Sequence, residues 1–411
     1  MNDIDTLRIG FIGSGFIARF HLQAMTSVRN CRVAGVYSTT PERRETTAAL
    51  ANDLGLGPCR AYGSIAEMVG SGEVDALWIL SPNDRRLEAM REIHRLVTQE
   101  GVRLTGIACE KPLGRTLPEA REMLRLAVEA GLNHGYLENQ LFSTATMRGK
   151  DIVWRRAVPL TGRPYLARAT EEHSGPHEPW FWQGQRQGGG VLLDMMCHSI
   201  EVARFLLTAP GAPRDSLRLK SANATVSTLK WGRAAYGEKL RVRTGGAVDF
   251  ARRPVEDFAR GILVYEDPEG DEALVEVTTS WAYVGPGLRI SLELLGPEYA
   301  MSFDSLATGL KVFLSREVTG ASGEDLVEKQ NAEQGLMPVL EDEAGTYGYS
   351  EENRHMVEAF RKGKAPMETF DDGVAVVAAL MALYRSAETG RTVDVATEDL
   401  SAFVPAVARG G

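Results

Sequence analysis

Apolar and polar positions alternate along the first third of the chain in a pattern that predicts repeated strand and helix units. Short apolar runs are separated by longer stretches in which apolar residues recur at helical spacing. The predicted strands are Leu7–Ile12, Cys31–Tyr37, Ala76–Leu80, Leu104–Cys109 and Asn133–Tyr136. Helices are predicted between them, among others at Glu42–Leu54, Arg86–Val97 and Leu117–Ala130. This order is typical of a doubly wound parallel sheet with right-handed crossovers.

The pattern changes after residue 135, where extended runs and one hairpin predict an antiparallel sheet in an α+β domain. The predicted strands are Pro164–Glu172, Phe258–Tyr265, Ala273–Trp281, Leu288–Leu295 and Leu310–Leu314. Helices are predicted at Gly190–Leu207, Glu351–Lys362 and Gly373–Thr389, and a loop-rich insertion from Ala209 to about Pro254. We therefore predict an α/β chain with one domain over residues 1–135 and a second over residues 136–411.

Composition narrows the class of protein. The 411 residues suffice for two or three domains, and 44% hydrophobic with 25% charged residues is ordinary for a soluble globular chain. A net charge of −9 argues against nucleic acid or an anionic membrane as the main partner. The 4 cysteines are widely spaced and form no metal-binding pattern. With no signal-peptide core and no run long enough to span a bilayer, we expect a cytoplasmic protein.

The first predicted strand is followed at once by a glycine-rich turn, Gly13-Ser14-Gly15-Phe16-Ile17-Ala18, and then by a helix. This is the dinucleotide fingerprint in its proper context. Gly13 permits the tight turn, Gly15 lets a pyrophosphate approach the backbone, and Ala18 allows close packing of helix on strand. The helix start offers free N–H groups to an anion. The alternative is a glycine-rich turn without a ligand.

The end of the second strand bears on the choice of cofactor. Sites selective for NAD usually place Asp or Glu there to bind the ribose hydroxyls. This chain has Ser38 and Thr39, with Arg43 and Arg44 downstream. The strand end lacks a carboxylate that would repel the 2′-phosphate of NADP, and Arg43 could pair with that phosphate. Both NAD and NADP therefore stay open. The alternative is that both arginines are solvated helix residues.

Two further strands end in polar turns at the edge where open α/β sheets bind ligands. One turn carries Ser81 and Asn83, and the other is Glu110-Lys111-Pro112. Pro112 stiffens the loop that carries Lys111. A lysine held there can bind a substrate hydroxyl and share its proton. The alternative for Lys111 is an ordinary surface turn.

Asp194 and His198 lie four residues apart on the otherwise apolar helix that follows Gly188-Gly189-Gly190, so they share one face. An imidazole is a natural proton shuttle near neutrality, and a carboxylate can orient it. The three glycines allow the chain to pass close to another backbone or a ligand. The alternative is a satisfied Asp–His pair in the core.

Together these motifs resemble the glucose–fructose oxidoreductase / inositol dehydrogenase / MocA (Gfo/Idh/MocA) family over nearly the whole chain. The Glu-Lys-Pro turn combined with a later Asp-x-x-x-His helix is specific, although neither part is specific alone. The likeness also includes Glu138-Asn139 and the segment Tyr384–Arg391. Two positions depart from the pattern: Arg86 stands where members often have His, and Met196 where a Gly is common.

The resemblance implies a Rossmann domain followed by a domain with a large, open, mostly antiparallel sheet that often mediates dimers or tetramers. It assigns Lys111, Asp194 and His198 to catalysis. The cofactor contacts it implies are Gly13 to Ala18, Ser38, Thr39, Ser81, Asn83, Glu110, Lys111 and Asn139.

Candidate substrate contacts come from the segment after the first strand of the second domain, where histidines and tryptophans suit the hydroxyls and C–H faces of a sugar. An aromatic cluster in the core or at a dimer contact is the alternative for the tryptophans. This segment contributes His173, His177, Trp180 and Trp182 as substrate candidates, and Tyr136 and Glu138 at the start of the second domain complete the set.

The leading hypothesis is an NAD(P)-dependent oxidoreductase acting on a sugar, polyol or sugar derivative. Lys111 and His198 would bind the hydroxyl, with His198 preferred as proton acceptor and Asp194 orienting the pair. A second hypothesis is a glycosidase or lyase that oxidises its substrate transiently, with His173, His177 or Tyr136 as a further base. A third is a cofactor-binding regulator without catalysis.

Overall fold

The computed structural model describes residues 5–315 and 334–409, and the chain divides into two compact units. The first unit comprises residues 5–143 and 347–377, and the second comprises residues 144–346 and 378–409 in their described parts. Among the described helices, none is both long and apolar enough to cross a lipid bilayer.

The first unit alternates strands with helices, as the sequence predicts. Its strands are β1 (Leu7–Ile12), β2 (Cys31–Tyr37), β3 (Arg60–Tyr62), β4 (Ala76–Ile79), β5 (Gly106–Glu110) and β6 (Asn133–Leu137). Its first helices are α1 (Phe16–Met25), α2 (Pro41–Asp53), α3 (Ile65–Gly70), α4 (Asn83–Glu100) and α5 (Leu117–Glu129). All the strands pair in parallel in the order β3-β2-β1-β4-β5-β6, which confirms the predicted doubly wound sheet.

The second unit is built on a seven-stranded sheet. Its strands and short helices in chain order are α6 (Thr144–Ile152), α7 (Val158–Thr161), β7 (Leu166–Glu172), α8 (Gly184–Gln187), α9 (Val191–Leu207), β8 (Arg218–Ser227), α10 (Ala234–Arg243), β9 (Phe258–Glu266), β10 (Glu272–Ser280), β11 (Arg289–Gly296), β12 (Tyr299–Asp304), β13 (Lys311–Leu314), β14 (Gly335–Pro338) and α11 (Glu343–Thr346). The chain then continues through α12 (Tyr349–Arg361), α13 (Phe370–Thr389) and β15 (Val393–Asp394).

Strand order in this sheet is β12-β11-β7-β10-β9-β8-β15, and only β7 and β10 pair in parallel. The predicted mostly antiparallel sheet is therefore confirmed. Helix α9 packs on one face, against β7 and β10. Alternation along the strands supplies that contact, because Ala167, Ala169 and Val275 are buried while Arg168 between the alanines is exposed.

The face that bears Arg168 carries cross-strand ion pairs. Arg168 donates to Glu276 at 2.6 Å and to Glu293 at 3.1 Å.

Two features differ from the sequence expectation. Helix α12 belongs to the first unit although it lies beyond residue 135, because Met356, Val357 and Phe360 complete the apolar cluster around β1. The stretch from Ala209 to Pro254 contains β8 and α10 rather than loop alone. Strand β8 forms because it pairs along its length with β9, a long-range contact that local composition does not reveal.

Candidate active site

The glycine turn leaves a cradle in front of helix α1. Gly13 has φ +128°, and a Cβ there would lie 2.7 Å from the backbone of Leu80. A Cβ on Gly15 would meet no described atom within 4 Å. Gly15 precedes α1 without any side-chain cap, so the first N–H groups of the helix face this open space. The buried Ala18 packs below, and the arrangement fits a pyrophosphate.

The end of β2 offers hydroxyls and one fastened arginine. Ser38 is half-buried, Thr39 is exposed, and Arg44 donates from Nη1 to the Ser38 carbonyl at 3.1 Å. Arg43, the residue predicted to pair with a 2′-phosphate, is exposed on α2. This strand end thus presents hydroxyl groups and a cationic helix start, with Glu42 as the acidic residue in its first turn.

The ends of β4 and β5 lie next to each other because the two strands are paired neighbours. Asn83 is 3% exposed and begins α4, and Ser81 Oγ is buried with no hydrogen-bond partner in the described part of the chain. Lys111 is half-buried directly after β5. The turns after β1, β4 and β5 therefore place the glycine cradle, Ser81 and Lys111 at consecutive strand ends of one sheet.

Glu110 anchors the turn that carries Lys111. Its Oε2 accepts the Lys111 backbone N–H at 3.1 Å, and its Oε1 accepts from His21 Nε2 at 2.8 Å. Burial alone would raise the pKa of Glu110, but the hydrogen bond from His21 and the charges of His21, Lys111 and Arg86 together lower it. Glu110 is therefore ionised, and its carboxylate fixes the backbone of the turn by accepting the Lys111 N–H.

His21 is oriented by an amide from a distant helix. Asn353 on α12 donates to the Tyr349 carbonyl at 2.8 Å, and its Oδ1 accepts from Trp78 Nε1 at 3.1 Å. The same amide contacts His21 Nδ1 through its Nδ2 at 2.9 Å and its Oδ1 at 3.2 Å, while His21 Nε2 faces Glu110, so both ring nitrogens have buried partners.

The three candidates from β6 and the residues after it are buried. Tyr136 is 0% exposed and lies in β6 opposite Cys109. Asn139, predicted to contact the cofactor, donates its side-chain amide to the Tyr347 carbonyl at 2.8 Å and so ties the chain return to the sheet. Burial, opposed by Lys111 and reinforced by Glu110, raises the pKa of Glu138 to about 8. Glu138 is thus a neutral acid near neutral pH.

The raised pKa of Glu138 predicts a stability that falls as pH rises. An unfolded glutamate ionises near its ordinary value, whereas the native Glu138 stays protonated until about pH 8, so the unfolded state releases its proton first. We expect the Tm of the wild type to fall between pH 5 and about 8.5. Glu138→Gln, which mimics the neutral acid, should reduce that fall and exceed the wild-type Tm at pH 8.5.

Differential scanning calorimetry across this pH range measures the effect. Glu88→Gln is the control, since that side chain is 75% exposed on α4. Equal slopes of Tm against pH in the wild type and Glu138→Gln would contradict this assignment.

In the second unit, the start of α9 is fixed by two buried side chains. Glu256 Oε1 accepts the backbone N–H groups of Gly190 at 2.9 Å and Leu192 at 3.2 Å, and the Tyr384 hydroxyl donates to it at 2.5 Å. A Cβ on Gly189 would lie 2.0 Å from the Tyr384 hydroxyl, and one on Gly190 would lie 2.5 Å from the Glu256 carbonyl oxygen. A side chain at Gly189 or Gly190 would therefore collide with the residues that cap the helix, which explains the glycines at both positions.

Asp194 and His198 follow on α9, where they are 6% and 3% exposed. Their spacing of four residues places both side chains on one face of the helix. Glu256 caps the first turn of α9, which carries Asp194. It thereby helps to fix the position of Asp194 and, one turn later, that of His198.

The histidines after β7 differ in their surroundings. His173 is 3% exposed, and its Nδ1 accepts the Gly175 N–H at 2.9 Å. In the neutral ring the proton therefore sits on Nε2, which makes His173 a donor. His177 is exposed.

The tryptophans of the same segment also separate. Trp180 is half-buried and stacks on Phe181 with ring centroids 3.9 Å apart. Trp182 is 1% exposed and packs against Trp231, Phe250 and Trp281. Of the alternatives that the sequence leaves open, this geometry favours the aromatic core for Trp182.

Sequence reasoning missed four residues of these networks, namely His21, Asn353, Glu256 and Tyr384. His21 had a signal, since it interrupts the apolar face of α1 formed with Ala18, Leu22 and Met25. The others act on groups far along the chain, so no local pattern indicates them.

Family models match both parts of the chain. The model described as "Oxidoreductase family, NAD-binding Rossmann fold" matches residues 7–136, and the "GFO/IDH/MocA C-terminal domain" matches residues 160–299. The chain belongs to the Gfo/Idh/MocA family. The resemblance found in the sequence and the predicted dinucleotide-binding domain are both confirmed.

Curated relatives of this family member carry names from sugar metabolism. A 1,5-anhydro-D-fructose reductase of Ensifer adhaerens is 33% identical over 49% of this chain and 56% of its own length. A D-glucoside 3-dehydrogenase of Escherichia coli (strain K12) is 26% identical over 95% of this chain and 97% of its own. The anhydrofructose reductase is one of the first curated relatives that the chain matches, and the chain spans about half of their length.

Solved structures share the fold of this Gfo/Idh/MocA protein. GenD2 from gentamicin A biosynthesis, in complex with NAD, has a TM-score of 0.75 and 22% identity, with 96% of this chain and 97% of that chain covered. A levoglucosan dehydrogenase in complex with NADH and levoglucosan has a TM-score of 0.68 and 20% identity, with 95% and 99% covered.

Proposed function

We propose that this chain is an NAD(P)-dependent oxidoreductase that oxidises a hydroxyl carbon of a sugar or polyol, or catalyses the reverse reduction. The observation that carries the proposal is the row of strand ends in the first unit, where the glycine cradle, Ser81 and Lys111 follow consecutive strands. At this edge of the sheet, the start of α1 can bind the cofactor's pyrophosphate, and the half-buried amine of Lys111 can bind the substrate. The reaction requires both groups at the same edge.

Gly13, Gly15 and the first N–H groups of α1 would hold the pyrophosphate. Ser38, Thr39 and Arg43 would lie toward the adenosine ribose, and Ser81, Asn83 and Glu110 toward the nicotinamide end. The bound cofactor supplies the hydride acceptor or donor. The side chains of the protein therefore have to position the substrate and the cofactor and to transfer the proton.

Lys111 would donate a hydrogen bond to the substrate oxygen and keep it oriented as its proton leaves. His198 would accept that proton at a ring nitrogen during oxidation and return it during reduction, so proton and hydride leave together. Asp194, four residues earlier on the same helix, would orient the imidazole. These roles follow the resemblance and rest on the burial of both α9 side chains and the anchoring of the Lys111 turn.

The substrate class follows from two supports. Relatives are named as enzymes of anhydrofructose, glucosides and inositol. Within the second unit, the His173 Nε2–H donor and the half-buried Trp180–Phe181 stack supply the polar and apolar contacts that a sugar ring needs. We propose a cyclic sugar or polyol as substrate, and a homodimer or homotetramer as the assembly.

The test is a spectrophotometric assay of the purified chain with NAD or NADP and a panel of sugars, polyols and sugar acids, preceded by a thermal-shift screen. We expect one of the two cofactors to raise the Tm by mass action, and absorbance at 340 nm to rise with one class of sugar. Arg43→Ala is the cofactor control, because it should change affinity for NADP more than for NAD.

Release of a leaving group without net reduction of the cofactor would contradict net oxidation and favour a glycosidase. Of the three candidates for a further base, His173 does not favour that reaction, since its Nδ1 accepts a backbone N–H and the neutral ring offers a donor. A chain that binds neither cofactor would overturn the proposal as a whole.

A further inference from the structure

Arg86 is a buried cation that donates hydrogen bonds to three backbone carbonyl groups. The side chain lies on the first turn of α4 and is 5% exposed. Its Nε donates to the Ser81 carbonyl at 3.0 Å, and its Nη1 donates to the Glu110 carbonyl at 2.6 Å and to the Pro112 carbonyl.

These acceptors bracket Lys111. Glu110 and Pro112 are its two chain neighbours, so one guanidinium nitrogen holds the backbone on both sides of the lysine. The third acceptor, Ser81, belongs to the turn after β4. Arg86 therefore fastens the turns after two paired strands to each other and restricts the Cα position of Lys111.

The guanidinium is suited to this task. It presents several donors in a rigid plane, whereas a lysine ammonium is a point charge on a flexible stem. The Glu110 side chain also holds this turn, because its Oε2 accepts the Lys111 backbone N–H at 3.1 Å. The backbone of Lys111 is thus fixed by an acceptor at its N–H and by a donor at its neighbouring carbonyls.

We propose that Arg86 is the positioning residue for Lys111, holding the Glu110-Lys111-Pro112 turn so that the ammonium reaches the substrate oxygen. The role rests on the proposed function, in which Lys111 binds the reacting hydroxyl. Arg86 acts only through Lys111 and does not touch the reacting atoms.

The experiment compares Arg86→Ala and Arg86→Lys with Arg85→Ala. Arg85 precedes Arg86 on the same helix, but its side chain is 62% exposed and pairs with Asp84 and Glu88. For each variant, kcat, the KM for the sugar, the Kd for the cofactor and backbone amide exchange over residues 108–113 are measured. The exchange measurement needs no substrate, so it reports on the turn even if the chain proves inactive.

We expect Arg86→Ala to lower kcat by about 10²-fold, which is the effect of a displaced catalytic group. The Kd for the cofactor should change little, because the glycine cradle is a separate element. Amide exchange over residues 108–113 should become faster, and Arg86→Lys should give an intermediate kcat. Added guanidinium ion, well below denaturing concentration, should restore part of kcat in Arg86→Ala but not in Lys111→Met.

The double variant distinguishes positioning from general damage. In the Lys111→Met background, Arg86→Ala should cause no further loss of kcat, since a residue that acts through Lys111 has nothing left to act on. A further loss there, or exchange and kcat equal to those of Arg85→Ala, would overturn the proposal. An inactive wild type with faster exchange in Arg86→Ala would overturn the proposed function while supporting the fastening of the turn.

Discussion

Replacing Lys111 by methionine should lower kcat by about 10²- to 10⁴-fold, the range over which one group in proton transfer acts. Methionine keeps the unbranched stem of the side chain but removes the ammonium that would bind the substrate oxygen. Lys111 is half-buried directly after β5. Glu110 accepts its backbone N–H, and Arg86 holds the carbonyls of its two neighbours, so the substitution should leave the turn in place. Cofactor affinity should persist, because the glycine cradle after β1 binds the pyrophosphate.

The measurement is kcat from the absorbance of the reduced cofactor, together with cofactor Kd by calorimetry. Arg115→Ala is the matched control, since Arg115 lies four residues beyond Lys111 and pairs with Glu119 within its own turn. Lys111→Arg tests whether charge alone suffices. Wild-type rates in Lys111→Met would remove this residue from the mechanism, and a parallel loss of cofactor affinity would assign it to binding.

Replacing His198 by asparagine should produce the second large loss, about 10²- to 10³-fold in kcat, by removing the proton acceptor. The decline of rate on the acidic side of the pH profile, where an imidazole base becomes protonated, should disappear in this variant. Met195→Leu is the control, because Met195 is 1% exposed on the same helix and the change nearly conserves volume.

The combination of the two substitutions tests whether Lys111 and His198 serve the same hydroxyl. If they act as a unit, the double variant Lys111→Met/His198→Asn should be scarcely slower than the slower single variant. Independent roles predict instead that the two losses multiply. Losses that multiply, or a pH profile unchanged in His198→Asn, would refute the shared role proposed for the pair.

Local pattern predicted the elements that carry the candidate residues. The carboxyl ends of the five strands predicted in the first unit agree with the structure to within one residue, because a parallel strand is a short apolar run and polar residues follow where it leaves the sheet. The same logic located Ser81 two residues after β4 and Lys111 directly after β5. The spacing of Asp194 and His198 fixed their shared face on α9, because a helix repeats every 3.6 residues whatever surrounds it.

Burial changed the interpretation of several residues that sequence could only classify by type. Asn139 looked like a ligand contact, yet its amide binds the Tyr347 carbonyl. Trp182 suited a sugar face, yet three aromatic rings surround it. Amides and indoles serve ligand sites and protein interiors with the same chemistry, so residue type alone does not distinguish the two settings.

By itself, the sequence determined the order of strands and helices, the glycine cradle and the family, because these depend on residues adjacent in the chain. Only the tertiary structure decided what holds the reactive groups: Asn353 orients His21 across 332 positions, and Glu256 and Tyr384 cap the helix of His198. Such contacts are formed where strand pairing and helix packing bring distant segments together. A buried polar group takes whichever partner the fold places beside it, and that partner leaves no mark in the local pattern.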